Sequence, residues 1–68
     1  KDAKSRLQEA LQAKGFEPPK YLVVSNKSGN QFDCNVTFNG KNFHASAEIK
    51  KESEQKVAEL ILLELDRV

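Results

Sequence analysis

Two adjacent lysines, Lys50 and Lys51, open a segment without glycine or proline that runs to residue 65 and is rich in strong helix formers. The segment predicts one helix of about four turns. Cations at a helix N-terminus oppose the macrodipole by ~0.3–1 kcal/mol, so these lysines do not serve helix stability. Together with the free N–H groups of the first turn they make a place for a phosphate. From the pair alone, ordinary surface lysines are the commoner explanation.

Charge is distributed unevenly along the chain. The 68 residues have a formal net charge of only +1, which by itself does not indicate a nucleic-acid ligand. Residues 1–51, however, carry nine Lys or Arg against five Asp or Glu, and residues 52–68 carry two against five. A polyanion would therefore have to bind a local patch that includes the start of the last helix.

Composition excludes several classes of function. One cysteine, Cys34, and one histidine, His44, cannot form an internal disulfide or a zinc site. The lone cysteine favours an intracellular protein, in the nucleus or the cytoplasm. No transmembrane run, signal peptide or recognisable catalytic pair is present, so we expect a non-catalytic domain without cofactor, membrane or small-molecule substrate. A start at Lys1 rather than Met indicates a domain of a longer protein.

The remaining elements follow from periodicity and turn residues. Asp2–Lys14 predicts a helix with Leu7 and Leu11 inward, Asp2 as N-cap and Gly15 after its end. Residues 21–25, 31–38 and 41–47 predict three strands, joined by a loop at 26–30 and a type I′ turn at Asn39-Gly40. Phe16 is expected in the core. The predicted fold is α+β: an α-β-β-β-α two-layer sandwich in which both helices cover one face of a three-stranded antiparallel sheet. It fills the whole chain, 1–68, with a core of about 3–66.

Helical periodicity divides the last helix into two faces. Val57, Ala58, Ile61, Leu62 and Leu65 form the core face. Leu60 and Leu63 fall outside it, which indicates either a surface for protein binding or dimerisation, or scattered apolar surface residues. By strand alternation, His44 faces solvent and Cys34 faces the core as an inert thiol.

Taken together, these residues resemble the double-stranded RNA-binding domain over roughly residues 3–66. The resemblance lies in Leu7-Gln8-Glu9, Pro19-Lys20-Tyr21, Phe32-x-Cys34-x-Val36 with Asn39-Gly40, and Lys50-Lys51-x-Ser53-x-x-x-Val57-Ala58. The Gln31-Phe32-x-Cys34 strand looks most like domains of plant RNA-silencing proteins, such as Dicer partners or RNase III-like proteins.

The resemblance implies shape recognition of duplex RNA at three places. A-form RNA exposes 2′-hydroxyls in a shallow minor groove and hides its bases in a deep, narrow major groove. Gln8 and Glu9, with Lys4 and Ser5 beside them, would meet riboses in one minor groove. Lys50 and Lys51 would bind phosphates across the major groove. The 26–30 loop, with Asn30, would reach the next minor groove, about 16 base pairs being spanned in all.

Three departures from the family pattern weaken the expectation of RNA binding. The loop is short and lacks the usual Pro and His, and Ile49 replaces a helix-capping Ser or Thr. Glu54 stands where many members have a third phosphate-binding lysine, which removes a favourable interaction and adds repulsion. The alternative is therefore a protein-interaction module of the same fold with weak RNA affinity, using Leu60 and Leu63 or the edge of the third strand. Its partner would be another such domain or a Dicer-like enzyme. In either case the parent could be an RNase III-type enzyme in RNA processing or silencing.

Overall fold

The structure, a computed structural model, describes residues 2–66, and within them it has the predicted α-β-β-β-α order. The elements are α1 (Ala3–Ala13), β1 (Leu22–Ser25), β2 (Phe32–Phe38), β3 (Lys41–Ala47) and α2 (Lys50–Asp66). The two helices pack against each other, and α2 lies against β2 and β3. The predicted two-layer α+β sandwich is thus confirmed. No helix in residues 2–66 is long and apolar enough to cross a membrane.

Local sequence signals set both ends of α1. The Asp2 carboxylate accepts a hydrogen bond from the Ser5 backbone N–H at 2.8 Å, as the N-cap assignment predicted. At the other end Gly15 has φ of 83°, a conformation that glycine adopts without a steric penalty. The Phe16 N–H then bonds back to the Leu11 carbonyl at 2.8 Å, and Gly15 to Gln12 at 3.1 Å, closing a Schellman motif.

The sheet has the order β1-β2-β3 with both pairs antiparallel. Its register aligns Val23, Cys34 and Ala45 across the three strands, so their side chains share one face. Asn39 and Gly40 have φ of 55° and 77°, which confirms the type I′ turn because that turn needs positive φ at both central residues. The hairpin therefore fixes which face of β2 and β3 meets the helices.

The core lies between that face and the two helices. Its buried members come from all layers: Ala3, Leu7, Leu11, Cys34, Val36, Phe43, Val57, Ala58 and Ile61. Burial raises the pKa of the Cys34 thiol, with a further contribution from the Glu54 charge, which agrees with an inert cysteine. Leu62 and Leu65 are partly buried against the core, as their positions on the predicted face require.

Phe16 is not the core anchor that the sequence suggested. Its side chain is 44% exposed and packs edge-on against Phe38, with ring centroids 5.4 Å apart. The reason lies in the Schellman motif, because the turn at Gly15 carries the chain to the end of the sheet beside the hairpin before Phe16 can enter the interior. Phe16 closes that end of the molecule rather than filling its centre.

Candidate nucleic-acid interface

The first turn of α2 presents its two lysines to solvent. The helix begins at Lys50, and both Lys50 and Lys51 are exposed. Below them Ser53 is fully buried, and its hydroxyl donates to the Lys50 carbonyl at 2.6 Å. Ile49, just before the helix, is exposed and has no side-chain oxygen to cap the first-turn N–H groups. Two ammonium groups and the start of a helix that Ile49 cannot cap therefore share one surface, which suits an anion.

The outer face of α1 forms a second polar surface. Ser5, Gln8 and Glu9 are exposed, on the side of the helix away from buried Leu7 and Leu11. These three side chains carry a hydroxyl, an amide and a carboxylate, which between them can donate to and accept from a ribose 2′-OH. Because Leu7 and Leu11 anchor the opposite side of α1 in the core, the helix holds this face in a fixed direction.

Lys4 differs from its neighbours on α1. Its ammonium lies 2.7 Å from a Glu54 carboxylate oxygen and 4.9 Å from the centre of the Tyr21 ring. The Lys4 backbone N–H donates to the Gln55 side-chain oxygen at 3.1 Å. The structure thus places Lys4 beside the predicted RNA surface, half-buried between the helices and already paired.

Glu54, the partner of Lys4 in this ion pair, is not an exposed acidic residue. Its side chain is 15% exposed, and its charge is balanced by Lys4. The sequence had suggested that this carboxylate repels RNA phosphates from the helix start. Because the carboxylate points to α1 and forms a close ion pair, the charge that it adds to the surface is largely cancelled.

The β1–β2 loop, residues 26–30, is held by its own asparagines. The Asn26 amide donates to the Asn30 side-chain oxygen at 3.0 Å, and the Asn30 backbone N–H donates to the Asn26 side-chain oxygen at 3.2 Å. Further bonds join Asn26 to Gln31 and Gly29 to Asn26. Asn30 is therefore exposed, as expected of a contact residue, but its side chain also closes the loop.

The topology brings the loop and the start of α2 to one edge of the sheet. Ser25, Phe32 and Ala47 lie side by side in register. The loop follows Ser25 and α2 follows Ala47, so both leave the sheet at that edge. On its other side α2 meets α1 through the Lys4–Glu54 contact. The three predicted contact regions thus occur in the order α1, α2 start, β1–β2 loop.

The other polar and apolar candidates lie elsewhere. His44 is exposed on the open face of the sheet, as predicted, with its Nε2 3.6 Å from Asp33, which also accepts a bond from the Ser46 hydroxyl. Leu60 and Leu63 are 41% and 62% exposed, respectively, on a side of α2 that adjoins β3. Residues 2–66 contain no cluster of His, Cys, Asp and Glu able to hold a metal ion.

A small α+β domain with two exposed lysines at a helix start, a polar helix face and a loop in line with them defines a binding module for a polyanion. The chain belongs to the family of the double-stranded RNA binding motif, which it matches over residues 3–65. It is thus a double-stranded RNA-binding domain, and the comparisons do not favour the alternative of a protein-interaction module with weak RNA affinity.

Relatives of the chain include proteins named Ribonuclease 3. It is 41% identical over 70 residues to that of Ehrlichia ruminantium (strain Gardel), covering 96% of the chain and 30% of the relative. It is 43% identical over 75 residues to that of Haemophilus influenzae (strain PittEE), covering 97% of the chain and 33% of the relative. The chain spans about a third of these relatives' length. They are bacterial, and give no support to the narrower resemblance to plant RNA-silencing proteins.

The sequence did not reveal the link between the helices. Lys4 and Glu54 are 50 residues apart. The family pattern treats them separately, Lys4 as an RNA contact and Glu54 as the loss of a phosphate contact. Charges of opposite sign on two helices expected to pack together are the signal that could have suggested the pair. Without the register of α1 against α2, that signal does not single out these two residues.

Proposed function

We propose that this domain binds the shape of an RNA duplex through three contact regions, largely without regard to sequence. Lys50 and Lys51 hold phosphates across the major groove. Ser5, Gln8 and Glu9 meet 2′-hydroxyls in one minor groove. Asn30 and the rest of the β1–β2 loop approach the next. The observation that carries this proposal is the exposed lysine pair at the start of α2, between two further polar surfaces.

The chemistry of the three regions fits a ribose-phosphate backbone. The lysines supply point charges where the helix N-terminus already favours an anion. The outer face of α1 supplies hydrogen-bonding groups, and its carboxylate is tolerable near RNA because it accepts from a 2′-OH. Ribose hydroxyls are absent from DNA, so the α1 surface supplies the preference for RNA.

The first experiment is a titration of a perfect RNA duplex of about 20 base pairs into the domain at several salt concentrations. The double variant Lys50→Ala/Lys51→Ala should bind at least about tenfold more weakly. Its slope of log affinity against log salt should fall by about 0.9 for each phosphate that the variant no longer neutralises, taking the value for duplex DNA. A matched control is Lys14→Ala/Lys20→Ala, which removes the same charge from exposed positions outside the three regions.

The two outcomes separate clearly. A fall in affinity and slope only in the Lys50/Lys51 variant assigns the phosphate clamp to the start of α2. Equal binding by the wild type and both variants would show that these lysines are surface residues without a role in RNA binding. A DNA duplex of the same sequence serves as the specificity control and should bind more weakly than RNA.

We further propose that the parent protein processes RNA, with this domain supplying substrate affinity to a separate catalytic part. Support comes from the two Ribonuclease 3 relatives, in which a matching segment makes up about a third of the protein. An intracellular location, expected from the lone cysteine, belongs to the same proposal. The test is cleavage of a long RNA duplex by the full-length parent with and without the Lys50→Ala/Lys51→Ala change.

Leu60 and Leu63 support a secondary proposal, that the domain also contacts a protein, such as a second RNA-binding domain of this type or a Dicer-like enzyme. Both leucines are exposed and line one groove with Asn42 and His44 of β3, a strand that has no partner on its outer edge within residues 2–66. Sedimentation of the wild type and of Leu60→Gln/Leu63→Gln, with and without RNA, tests self-association. A single monomeric species under all conditions would contradict association with a second copy.

A further inference from the structure

Lys4 is joined to α2 through both its backbone and its side chain. The backbone N–H donates to Gln55 at 3.1 Å, and the ammonium contacts Glu54 at 2.7 Å. The two acceptors are consecutive residues in the second turn of α2. One residue of α1 is thus fixed at two points to the turn that follows Lys50 and Lys51.

The ammonium of Lys4 is poorly placed to move to a phosphate. It lies between the Glu54 carboxylate and the face of the Tyr21 ring, 4.9 Å from its centre. If it left, Glu54 would remain 15% exposed without its counter-charge, and an unpaired carboxylate is costly where little water reaches it. Burial raises the pKa of Tyr21 to about 12, and the nearby Glu54 charge contributes.

The ion pair lies between the two surfaces that the proposed function uses. Lys4 is one turn before Gln8 on α1, and Glu54 is one turn after Lys50 on α2. The packed apolar residues between the helices hold the two together through non-directional contacts. A short ion pair between two partly buried groups is directional and adds a specific polar contact to that packing.

We propose that Lys4 and Glu54 form a positioning pair, which sets the ribose-contacting face of α1 relative to the phosphate-binding start of α2. Lys4 is then a positioning residue rather than a phosphate contact, and Glu54 strengthens RNA binding rather than opposing it. This inference rests on the proposed function and deepens it, because it concerns how two contact regions are held at the spacing of adjacent grooves.

The sign of one substitution separates this role from simple electrostatics. Glu54→Gln removes a negative charge near the RNA surface, so repulsion alone predicts tighter binding. The positioning pair predicts weaker binding of the RNA duplex, by about fivefold. Glu52→Gln is the matched control, since Glu52 is exposed in the first turn of the same helix and forms no ion pair within residues 2–66. That variant should bind as tightly as the wild type or more tightly.

A second measurement tests what Lys4 does. If Lys4 contacted a phosphate, Lys4→Gln would weaken RNA and DNA duplexes by the same factor and lower the salt slope by about 0.9. A positioning residue instead affects the ribose contacts of α1, so Lys4→Gln should reduce the ratio of RNA to DNA affinity by about fivefold. Combining Lys4→Gln with Glu54→Gln should cost no more than either change alone, since both remove one interaction.

The swapped variant Lys4→Glu/Glu54→Lys keeps the test decisive if a single variant fails to fold. It retains a pair of opposite charges and should bind RNA within about twofold of the wild type and more tightly than Glu54→Lys alone, which controls for a phosphate contact made by the introduced lysine. The positioning role would be overturned if the swapped variant bound RNA no more tightly than Lys4→Glu. It would also be overturned if Glu54→Gln bound RNA more tightly than the wild type. A wild-type domain that does not bind RNA would instead overturn the proposed function, and this inference with it.

Discussion

The hydroxyl of Ser53 donates a 2.6 Å hydrogen bond to the carbonyl of Lys50, one turn earlier in α2. Ser53 is fully buried, whereas the Lys50 side chain is exposed. The bond satisfies a polar group that would otherwise be buried without a partner. The bond also connects the backbone of Lys50, at the start of the candidate phosphate site, to a residue of the core. The Lys50 backbone is thus held in place while its side-chain ammonium is exposed to a ligand.

Ser53→Ala should be tolerated. Removing both the hydroxyl and its need for a partner is nearly neutral, and the Lys50 carbonyl still accepts the helical N–H bond. We expect a change of less than about 1 kcal/mol in the free energy of unfolding. Ser53→Val adds volume in a fully buried position and should cost about 1–3 kcal/mol. Urea unfolding of both variants is the measurement, and a larger destabilisation by alanine than by valine would contradict it.

Replacing Leu7 in α1 by alanine should destabilise the domain more than replacing the larger Phe16, which lies just after α1. Leu7 is fully buried, so Leu7→Ala should lower the free energy of unfolding by about 2–5 kcal/mol. Phe16 is 44% exposed and packs edge-on against Phe38. Phe16→Ala should cost about 1–2.5 kcal/mol, from the ring pair and from the roughly half of the side chain that is buried. Denaturant midpoints with equal slopes are the measurement; an equal or greater destabilisation at Phe16 would place it in the core after all.

These examples show what the sequence determines well. Strand alternation predicts Cys34 in the core and His44 in solvent, and the Asn39-Gly40 pair predicts its turn, because both signals depend on residues close together in the chain. The prediction for Phe16 is wrong, although Gly15 correctly marks the end of α1. The direction in which the chain leaves a Schellman motif depends on how the chain packs against that end of the sheet. The local sequence does not encode this packing.

The candidate site likewise has features that the local sequence predicts and features that depend on how the helices pack and the loop folds. The inward positions of Leu7 and Leu11 turn Gln8 and Glu9 outward, and the adjacent charges of Lys50 and Lys51 favour the surface. The structure exposes all four side chains. The state of Lys4 and Glu54 did not follow, because it depends on how α1 is rotated against α2. Whether Asn30 is available to a ligand likewise depended on its bonds to Asn26, which only the folded loop shows.

The β1–β2 loop should contribute only when the duplex is long enough. Asn26 and Asn30 hold the loop through two hydrogen bonds, so Asn26→Ala should loosen it and weaken binding to a duplex of about 20 base pairs by ~2- to 5-fold. A duplex of about 10 base pairs, too short to reach the second minor groove, should bind wild type and variant equally.

Asn30→Ala separates loop closure from direct contact. If Asn30 only closes the loop, its replacement should weaken binding less than Asn26→Ala does, because it removes one of the two hydrogen bonds whereas Asn26→Ala removes both. If Asn30 also touches RNA, as we propose, its replacement should cost more on the long duplex. Fluorescence anisotropy with both duplexes measures this, and Thr37→Ala on the open face of the sheet is the control. Equal effects on long and short duplexes would show that the loop makes no separate contact.

Asp2 should make the stability of α1 depend on pH in the acid range. Hydrogen bonds from the Ser5 backbone N–H and hydroxyl, with another from Gln55, hold the pKa of Asp2 below its ordinary value of 3.8. A group whose pKa is lower in the folded state stabilises it at pH above the unfolded value, and that stabilisation disappears as pH falls through the folded value. The thermal midpoint of the wild type should therefore fall below about pH 4 partly because this cap is protonated.

Two variants isolate that contribution. Asp2→Asn keeps a side-chain oxygen for the cap but cannot ionise, so it should show a weaker acid dependence than the wild type. Asp2→Ala removes the cap at every pH and should be less stable than the wild type at pH 7, the two curves converging in acid. Circular dichroism melts between pH 7 and about pH 2.5 compare them. Parallel curves for the wild type and Asp2→Asn would show that other carboxylates, and not the α1 cap, carry the acid sensitivity.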